Sequence, residues 1–247
     1  MARARRWIPV VSSWLLLAAP VASAQLFESP TVVPLPSAAP FLEAADLDGD
    51  GNVDLVVSHG PAGPGASVLL GDGAGGFLVR PPVPGADRSA LGDVDGDGIL
   101  DLVSTASSSI LLDVRLGNGS GGFGAPASFP TIPCAGLDLG DMDVDGDLDA
   151  VTTFGTGTLF VHAGDGAGSF ATGVAASTTG IGGSVHVVHA NADPIPDVVT
   201  LSADRWAVSV GDGLGGFAPT LSMNGSPSPG FFQNFLAADA VGDVNGD

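Results

Sequence analysis

Two sequence markers recur along this chain at one shared period, and that limits its architecture more than any other feature. The first is an Asp-rich series: DLDGDGNVDLVV from Asp46, DVDGDGILDLVS from Asp93, DMDVDGDLDAVT from Asp141 and a degenerate HANADPIPDVVT from His189. DVNGD follows from Asp243, so the five starts are 47, 48, 48 and 54 residues apart. The second series interleaves with it: GDGAGGF from Gly71, GNGSGGF from Gly117, GDGAGSF from Gly164 and GDGLGGF from Gly211, spaced 46, 47 and 47. Independent markers that keep one period near 47 describe a structural unit repeated in tandem.

Each unit reads as four short strands. In the first, FLEAAD enters the Asp loop, VDLVVS leaves it, SVLL follows, and GDGAGG turns into FLVRPP. These runs are β-branched or apolar, a few residues long, and bounded by Gly, Pro and Asp. Beyond the N-terminal segment no window has a convincing 3.6-residue period, so helices are not expected. Four strands in about 47 residues make a propeller blade. The expected fold is therefore an all-β β-propeller of four-stranded blades, roughly 41–84, 85–130, 131–178 and 179–225, with a partial blade at 226–247. Composition agrees. The 38 Gly and 19 Pro suit tight hairpins, and 45% hydrophobic residues with a mean hydropathy of +0.39 supply a core that a disordered chain lacks.

Residues 25–32 resemble the outermost strand of a blade, since Leu26-Phe27-Glu28-Ser29-Pro30 parallels Gly122-Phe123-Gly124-Ala125-Pro126. Closing a ring with such a strand leaves no open edge. The chain stops at Asp247 inside its fifth Asp loop, so the expectation is four blades plus partial ones, a fragment of a seven-bladed ring that would need roughly 100 further residues at this period. Ahead of this, residues 1–24 read as a signal peptide. Arg3, Arg5 and Arg6 form a basic start, an apolar run interrupted by Pro9 and Pro20 follows, and Ala22-Ser23-Ala24 suits cleavage. The chain is thus expected to be exported, secreted or at the cell surface, with no transmembrane segment after cleavage. Cys134 is the only cysteine, so no internal disulfide can hold an exported protein together.

The acidity has an unusual form. Of 27 acidic residues all but Glu28 and Glu43 are Asp, and there is no Lys. A net charge of −20 excludes nucleic acid and anionic membranes as natural partners. Most of the Asp lie in the loops. Loop positions 1, 3, 5 and 9 are Asp46, Asp48, Asp50 and Asp54 in the first repeat; Asp93, Asp95, Asp97 and Asp101 in the second; Asp141, Asp143, Asp145 and Asp149 in the third. Gly51, Gly98 and Gly146 at position 6 turn the backbone, so that the carbonyls of Asn52, Ile99 and Asp147 at position 7 also face inward. Alternating carboxylates on a tight loop converge on one point and repel one another without a cation. Oxygen-only ligands select Ca²⁺ over zinc or copper, and Mg²⁺ suits the set less well. An EF-hand is excluded, because position 12 is Val57, Ser104 or Thr152 rather than Glu and strands flank the loop. Position 9 is then the expected bidentate ligand. In the fourth loop His189, Asn191, Asp193 and Asp197 surround Pro194, which replaces the glycine, and metal binding there is not expected. The fifth offers Asp243, Asn245 and Asp247 as a weaker, incomplete set.

These loops, together with the Phe-Gly-Ala-Pro at 123–126, resemble the FG-GAP/VCBS repeats of integrin α-subunit propellers and of many exported bacterial proteins. The resemblance covers residues from about 26 to 247. It implies a propeller, seven-bladed when complete, with Ca²⁺ in loops between the first and second strands of its blades. Carried over residue by residue, it names the twelve Asp of the first three loops. It also implies surface binding or adhesion without specifying a ligand.

Three functions are open on sequence. The first is an exported scaffold for adhesion or for binding an extracellular protein or glycan, with calcium structural. The second is a propeller-based extracellular hydrolase or lyase whose catalytic residues are expected in the missing part of the ring, beyond Asp247. Against an enzyme stand only four His (His59, His162, His186, His189), no Tyr, no G-x-S-x-G and no H-E-x-x-H. His186 and His189 would face opposite sides, and His162 reads as a packed strand residue. The third is a sugar-binding propeller, for which Trp206 is the only Trp after the signal peptide; Phe77, Phe123, Phe170 and Phe217 recur as core.

Overall fold

The computed structural model describes residues 32–37, 41–106, 109–155, 157–178, 182–202, 206–218 and 221–223. The expected signal peptide at 1–24, residues 25–31 of the expected closing strand, the expected partial blade at 226–247 and the fifth loop (Asp243, Asn245, Asp247) lie outside the described residues. The described residues from 33 onward belong to one compact unit.

Sixteen strands make four antiparallel sheets, and each sheet takes four strands in chain order. Blade 1 is β1 (Phe41–Ala45), β2 (Asp54–Ser58), β3 (Ala66–Gly71) and β4 (Phe77–Val79). Blade 2 is β5 (Arg88–Gly92), β6 (Asp101–Thr105), β7 (Leu111–Arg115) and β8 (Ala127–Pro130). Blade 3 is β9 (Gly136–Gly140), β10 (Asp149–Phe154), β11 (Thr158–His162) and β12 (Val174–Thr178), with a register shift at Leu159/Phe160. Blade 4 is β13 (Ser184–Val188), β14 (Asp197–Leu201), β15 (Trp206–Ser209) and β16 (Leu221–Met223). No helix occurs among the described residues. The strands fall on the β-branched runs, and the Asp and Gly clusters fall on the turns between them, because those residues tolerate the turn backbone and the branched ones do not.

The first strands line up side by side, β1 by β5, β5 by β9 and β9 by β13, so the blades succeed one another around a common axis as a β-propeller. Each core cluster lies between two consecutive blades. Val56, Val68 and Leu70 of blade 1 meet Leu102 and Leu91 of blade 2. Val103, Leu112 and Val114 of blade 2 meet Leu137, Ala150 and Phe170 of blade 3, where Phe170 also stacks edge-on against Phe129, centroids 6.3 Å apart. Met142, Val151 and Leu159 of blade 3 meet Val185 and Val198 of blade 4. A blade alone therefore leaves both sheet faces uncovered, and only stacking buries them.

Candidate metal centres

Each Asp loop connects the first two strands of its blade, and its shape is set by what its carboxylates accept. The position-9 Asp opens the second strand and is buried in all four repeats: Asp54, Asp101, Asp149 and Asp197 are at most 1% exposed. One oxygen accepts the N–H of loop position 2, at 2.8 Å from Leu47, 3.0 Å from Val94, 2.8 Å from Met142 and 2.9 Å from Ala190. The other accepts the N–H of the first hairpin glycine, at 2.7 Å from Gly71 and Gly117 and 2.9 Å from Gly164 and Gly211. That glycine is required by close approach. A Cβ on any of the four would lie within 2.3 Å of the carbonyl oxygen of loop position 8. The position-9 carboxylate thus ties the Asp loop to the hairpin across the sheet. Sequence reasoning cast it as a bidentate metal ligand and missed this role. The available signal was that Asp197 persists in the fourth loop after the carboxylates at positions 1 and 3 have become His189 and Asn191.

The position-1 Asp curls the loop around itself. Asp46 accepts Gly49 and Gly51 N–H at 2.8 and 2.9 Å; Asp93 accepts Gly96 and Gly98 at the same distances; Asp141 accepts Asp145 and Gly146 at 3.0 and 3.1 Å. Position 5 caps position 7 in the manner of an Asx-turn: Asp50 accepts Asn52 N–H, Asp97 accepts Ile99 and Asp145 accepts Asp147, at 2.8–2.9 Å. The result is three clusters whose carboxylate oxygens lie within 4.8 Å of one another: Asp46, Asp48 and Asp50; Asp93, Asp95 and Asp101; Asp141, Asp143 and Asp149. That spread fits one cation, since two oxygens on opposite sides of an ion at about 2.4 Å stand about 4.8 Å apart. Asp54, Asp97 and Asp145 stand outside these groups, and the fourth loop forms no such group among the described residues.

The clusters carry the electrostatic mark of crowded acids. Desolvation first, and the charges of neighbouring loop carboxylates after it, hold Asp48, Asp101, Asp143 and Asp149 above the usual carboxylate range. One Asp143 oxygen is enclosed without a hydrogen-bond donor. A cation at these points reverses both effects by neutralising the charge and supplying the missing partner. The donor set is all oxygen, so these clusters can hold a hard metal ion.

The second marker explains why each cluster sits at a blade junction. In every Gly-rich hairpin the Asx side chain accepts two backbone N–H groups of the turn. Asp72 accepts Ala74 and Gly76, and Asn118, Asp165 and Asp212 repeat the pattern. These bonds hold Asp72 and Asp165 below the usual range. The hairpin so shaped then reaches back to the preceding blade. Gly121 N–H donates to the Leu47 carbonyl at 3.2 Å, Gly168 to Val94 at 2.9 Å and Gly215 to Met142 at 3.2 Å. Those three acceptors are the buried position-2 residues of the three cluster-forming loops.

The histidines do not converge. His162 is buried, with Nε2 3.2 Å from the hydroxyls of Thr131 and Thr152 and Nδ1 3.3 Å from the Ala171 carbonyl, and burial pushes its pKa down, keeping the ring neutral. His59 is buried with Nε2 2.8 Å from Ser67 Oγ. His186 lies on β13, and His189 borders a cavity of about 290 Å³ together with Asp141 and Pro194. Trp206 is partly exposed on β15.

Set against known proteins, the FG-GAP-like repeat family matches residues 46–104 and 93–152, each stretch running from one Asp loop through the next. No curated protein matches the chain. Among solved structures, an Agrocybe aegerita lectin, described as recognising non-reducing terminal N-acetylglucosamine, superposes with a TM-score of 0.53 at 22% identity over 74% of this chain. The chain spans 51% of that lectin's length. The Photorhabdus luminescens Tc holotoxin pore matches with a TM-score of 0.45 at 18% identity, over 82% of this chain and 10% of the toxin chain. The Vibrio cholerae biofilm matrix protein Bap1 matches with a TM-score of 0.36 at 15% identity, over 76% of this chain and 39% of its own.

Proposed function

We propose that this chain, whose residues 46–152 carry two tandem FG-GAP-like repeats, is an exported propeller that displays a ligand-binding surface outside the cell and is stiffened by Ca²⁺ at its blade junctions. One observation carries the reading: three loops in consecutive blades each gather three carboxylate oxygens within 4.8 Å, against the hairpin of the next blade. Calcium is the cation that fits. It takes six to eight oxygens in a flexible shell, so carboxylates, a backbone carbonyl and water can complete it, whereas Mg²⁺ demands a small octahedron. Extracellular modules bind calcium with Kd of roughly 10⁻⁴–10⁻³ M, a range filled outside cells and not in the cytosol. Binding at a junction locks two blades together and takes the place of the disulfides that a single cysteine cannot form.

Thermal melts of the protein in calcium and in chelator test this. With free calcium at ten times Kd, each site adds about 1.4 kcal/mol, three sites about 4 kcal/mol, and the midpoint rises by about 10 °C. An unchanged midpoint would sink the structural role of calcium. For the ligand, the likeness of fold to a sugar-recognising lectin favours a carbohydrate. We read the role as binding rather than catalysis, because His162, the histidine with the fullest set of contacts, spends its ring nitrogens on neighbouring hydroxyls and a carbonyl. A glycan and matrix-protein screen run beside a hydrolase panel separates the alternatives: turnover without retained ligand would replace the scaffold with an enzyme.

A further inference from the structure

The repeat sets an expectation for every position, and one blade junction departs from it in a single electrostatic direction. Residue 80 follows the hairpin Phe by three and is Arg, where the other repeats have Pro126, Gly173 and Thr220. Residue 115 precedes the hairpin Gly by two and is Arg, where the others have Leu69, His162 and Ser209. Residue 118 is Asn, where the other three hairpins have Asp72, Asp165 and Asp212. Asn118 makes the same turn bonds as those aspartates, so the fold gains nothing from the exchange. Two charges are added and one is withheld, in a chain of net charge −20.

All three residues line one cavity of about 620 Å³ between the outer strands of blades 1 and 2, within the size range of small-molecule sites. Pro82, Pro84 and Phe123 give its lining an apolar part beside these polar groups. Arg115 is buried and already balanced. It donates to Ser104 Oγ at 2.9 Å and to the Pro84 carbonyl at 3.0 Å, and it pairs with Asp113 at 3.5 Å, so it positions the proline wall. Arg80 is different. One terminal nitrogen donates to the Ser120 carbonyl at 2.7 Å, its enclosed Nε–H has no acceptor, and no carboxylate pairs with it among the described residues. The uncompensated charge of Arg80 beside the cavity is what a bound anion neutralises.

We propose that this cavity binds a carboxylated sugar, a hexuronate unit of an acidic glycan. Its carboxylate sits on Arg80, the Asn118 amide donates beside it, and the apolar face of the ring lies on the proline and Phe123 walls. The proposal rests on the carbohydrate reading above and makes it specific in charge and in place.

The test is calorimetric titration of the whole protein in calcium with glucuronate and with digalacturonate, beside glucose, digalactose and a short Asp/Glu peptide as probes. Uronates are expected to bind at least about tenfold more tightly than the neutral sugars, the fold-change of one charge-assisted hydrogen bond. Asn118→Asp restores the residue of the other hairpins. It is expected to leave the melting midpoint unchanged and to weaken uronate binding about tenfold by like-charge repulsion. Arg80→Gln is expected to abolish binding. Equal affinity for neutral sugars, tighter binding of the peptide, or no binding of any probe would each overturn the proposal. So would uronate binding that both variants leave intact and chelator removes, which would place the ligand at a calcium loop and keep the broader carbohydrate reading alive.

Discussion

Among the described residues Val144 is the only one other than glycine with a positive φ, 62°, and it marks where the third loop departs from the other two. Loop position 4 is Gly49 and Gly96 in the first and second loops, each at 75°. The carboxylates on either side can converge only if the backbone turns left-handed there. For a β-branched residue that conformation costs about 1–2 kcal/mol. The side chain is half exposed and recovers little by burial. Val144→Gly is therefore expected to stabilise the protein by about 1 kcal/mol, net of the extra freedom glycine gives the unfolded chain. A midpoint higher by about 2–4 °C with unaltered calcium response checks it. A lower midpoint would mean that the valine packs usefully against the next hairpin, which it approaches near Gly213.

The Asp loop and the Gly-rich hairpin are two turns of one blade that a single buried carboxylate fastens together. Blade 4 isolates that function, because Asp197 receives Ala190 and Gly211 N–H while its loop lacks a carboxylate cluster. Asp197→Ala leaves two enclosed donors unpaired and is expected to cost about 2–4 kcal/mol, equally with calcium and with chelator. Asp197→Asn keeps one acceptor and is expected to cost about half as much. In blade 2 the position-9 residue belongs to both structures, bonded to Val94 and Gly117 and grouped with Asp93 and Asp95. Asp101→Ala is therefore expected to cost stability and also to reduce the calcium-induced shift by about a third, one site of three. Urea titrations of the two alanine variants in both buffers separate the roles.

Across the whole molecule, the first strands bring acids from different blades toward one another. Glu43 on β1 is pushed up to about 7, first by desolvation and second by the charge of Asp138 on β9. Asp138 is itself raised by burial, against the bonds it accepts from Val187 N–H at 2.7 Å and Leu139 N–H at 2.9 Å. A carboxyl raised in the folded state binds a proton there that the unfolded chain has released. Its contribution is favourable below pH 4.5, its ordinary value, and is lost as pH rises through 7. Glu43→Gln is expected to flatten that segment of the stability curve and to stabilise the protein at pH 8 by about 2 kcal/mol, discounted for partial exposure. Urea melts between pH 5 and 8 in saturating calcium, which keeps the Asp loops from contributing, read the difference. A parallel shift of the whole curve would assign the effect to packing instead.

The period, the four strands of each blade and the all-oxygen carboxylate clusters of the first three loops were legible in the sequence. Each depends on local rules: alternation, turn residues, and carboxylates spaced to meet on one curled loop. Three features were legible only after folding. The two oxygens of Asp54, Asp101, Asp149 and Asp197 are committed to backbone groups up to 17 residues away, and spacing cannot reveal such pairing. The hairpin of one blade supports the Asp loop of the blade before it, about 70 residues earlier in the case of Gly121 and Leu47, because sheet faces are buried by neighbours rather than by their own strands. Arg80, Arg115 and Asn118 are scattered departures along the chain, and they become one cationic cavity only where blades 1 and 2 close against each other. Local structure follows from short-range sterics and periodicity, whereas the sites at the junctions depend on which distant surfaces must meet to exclude water.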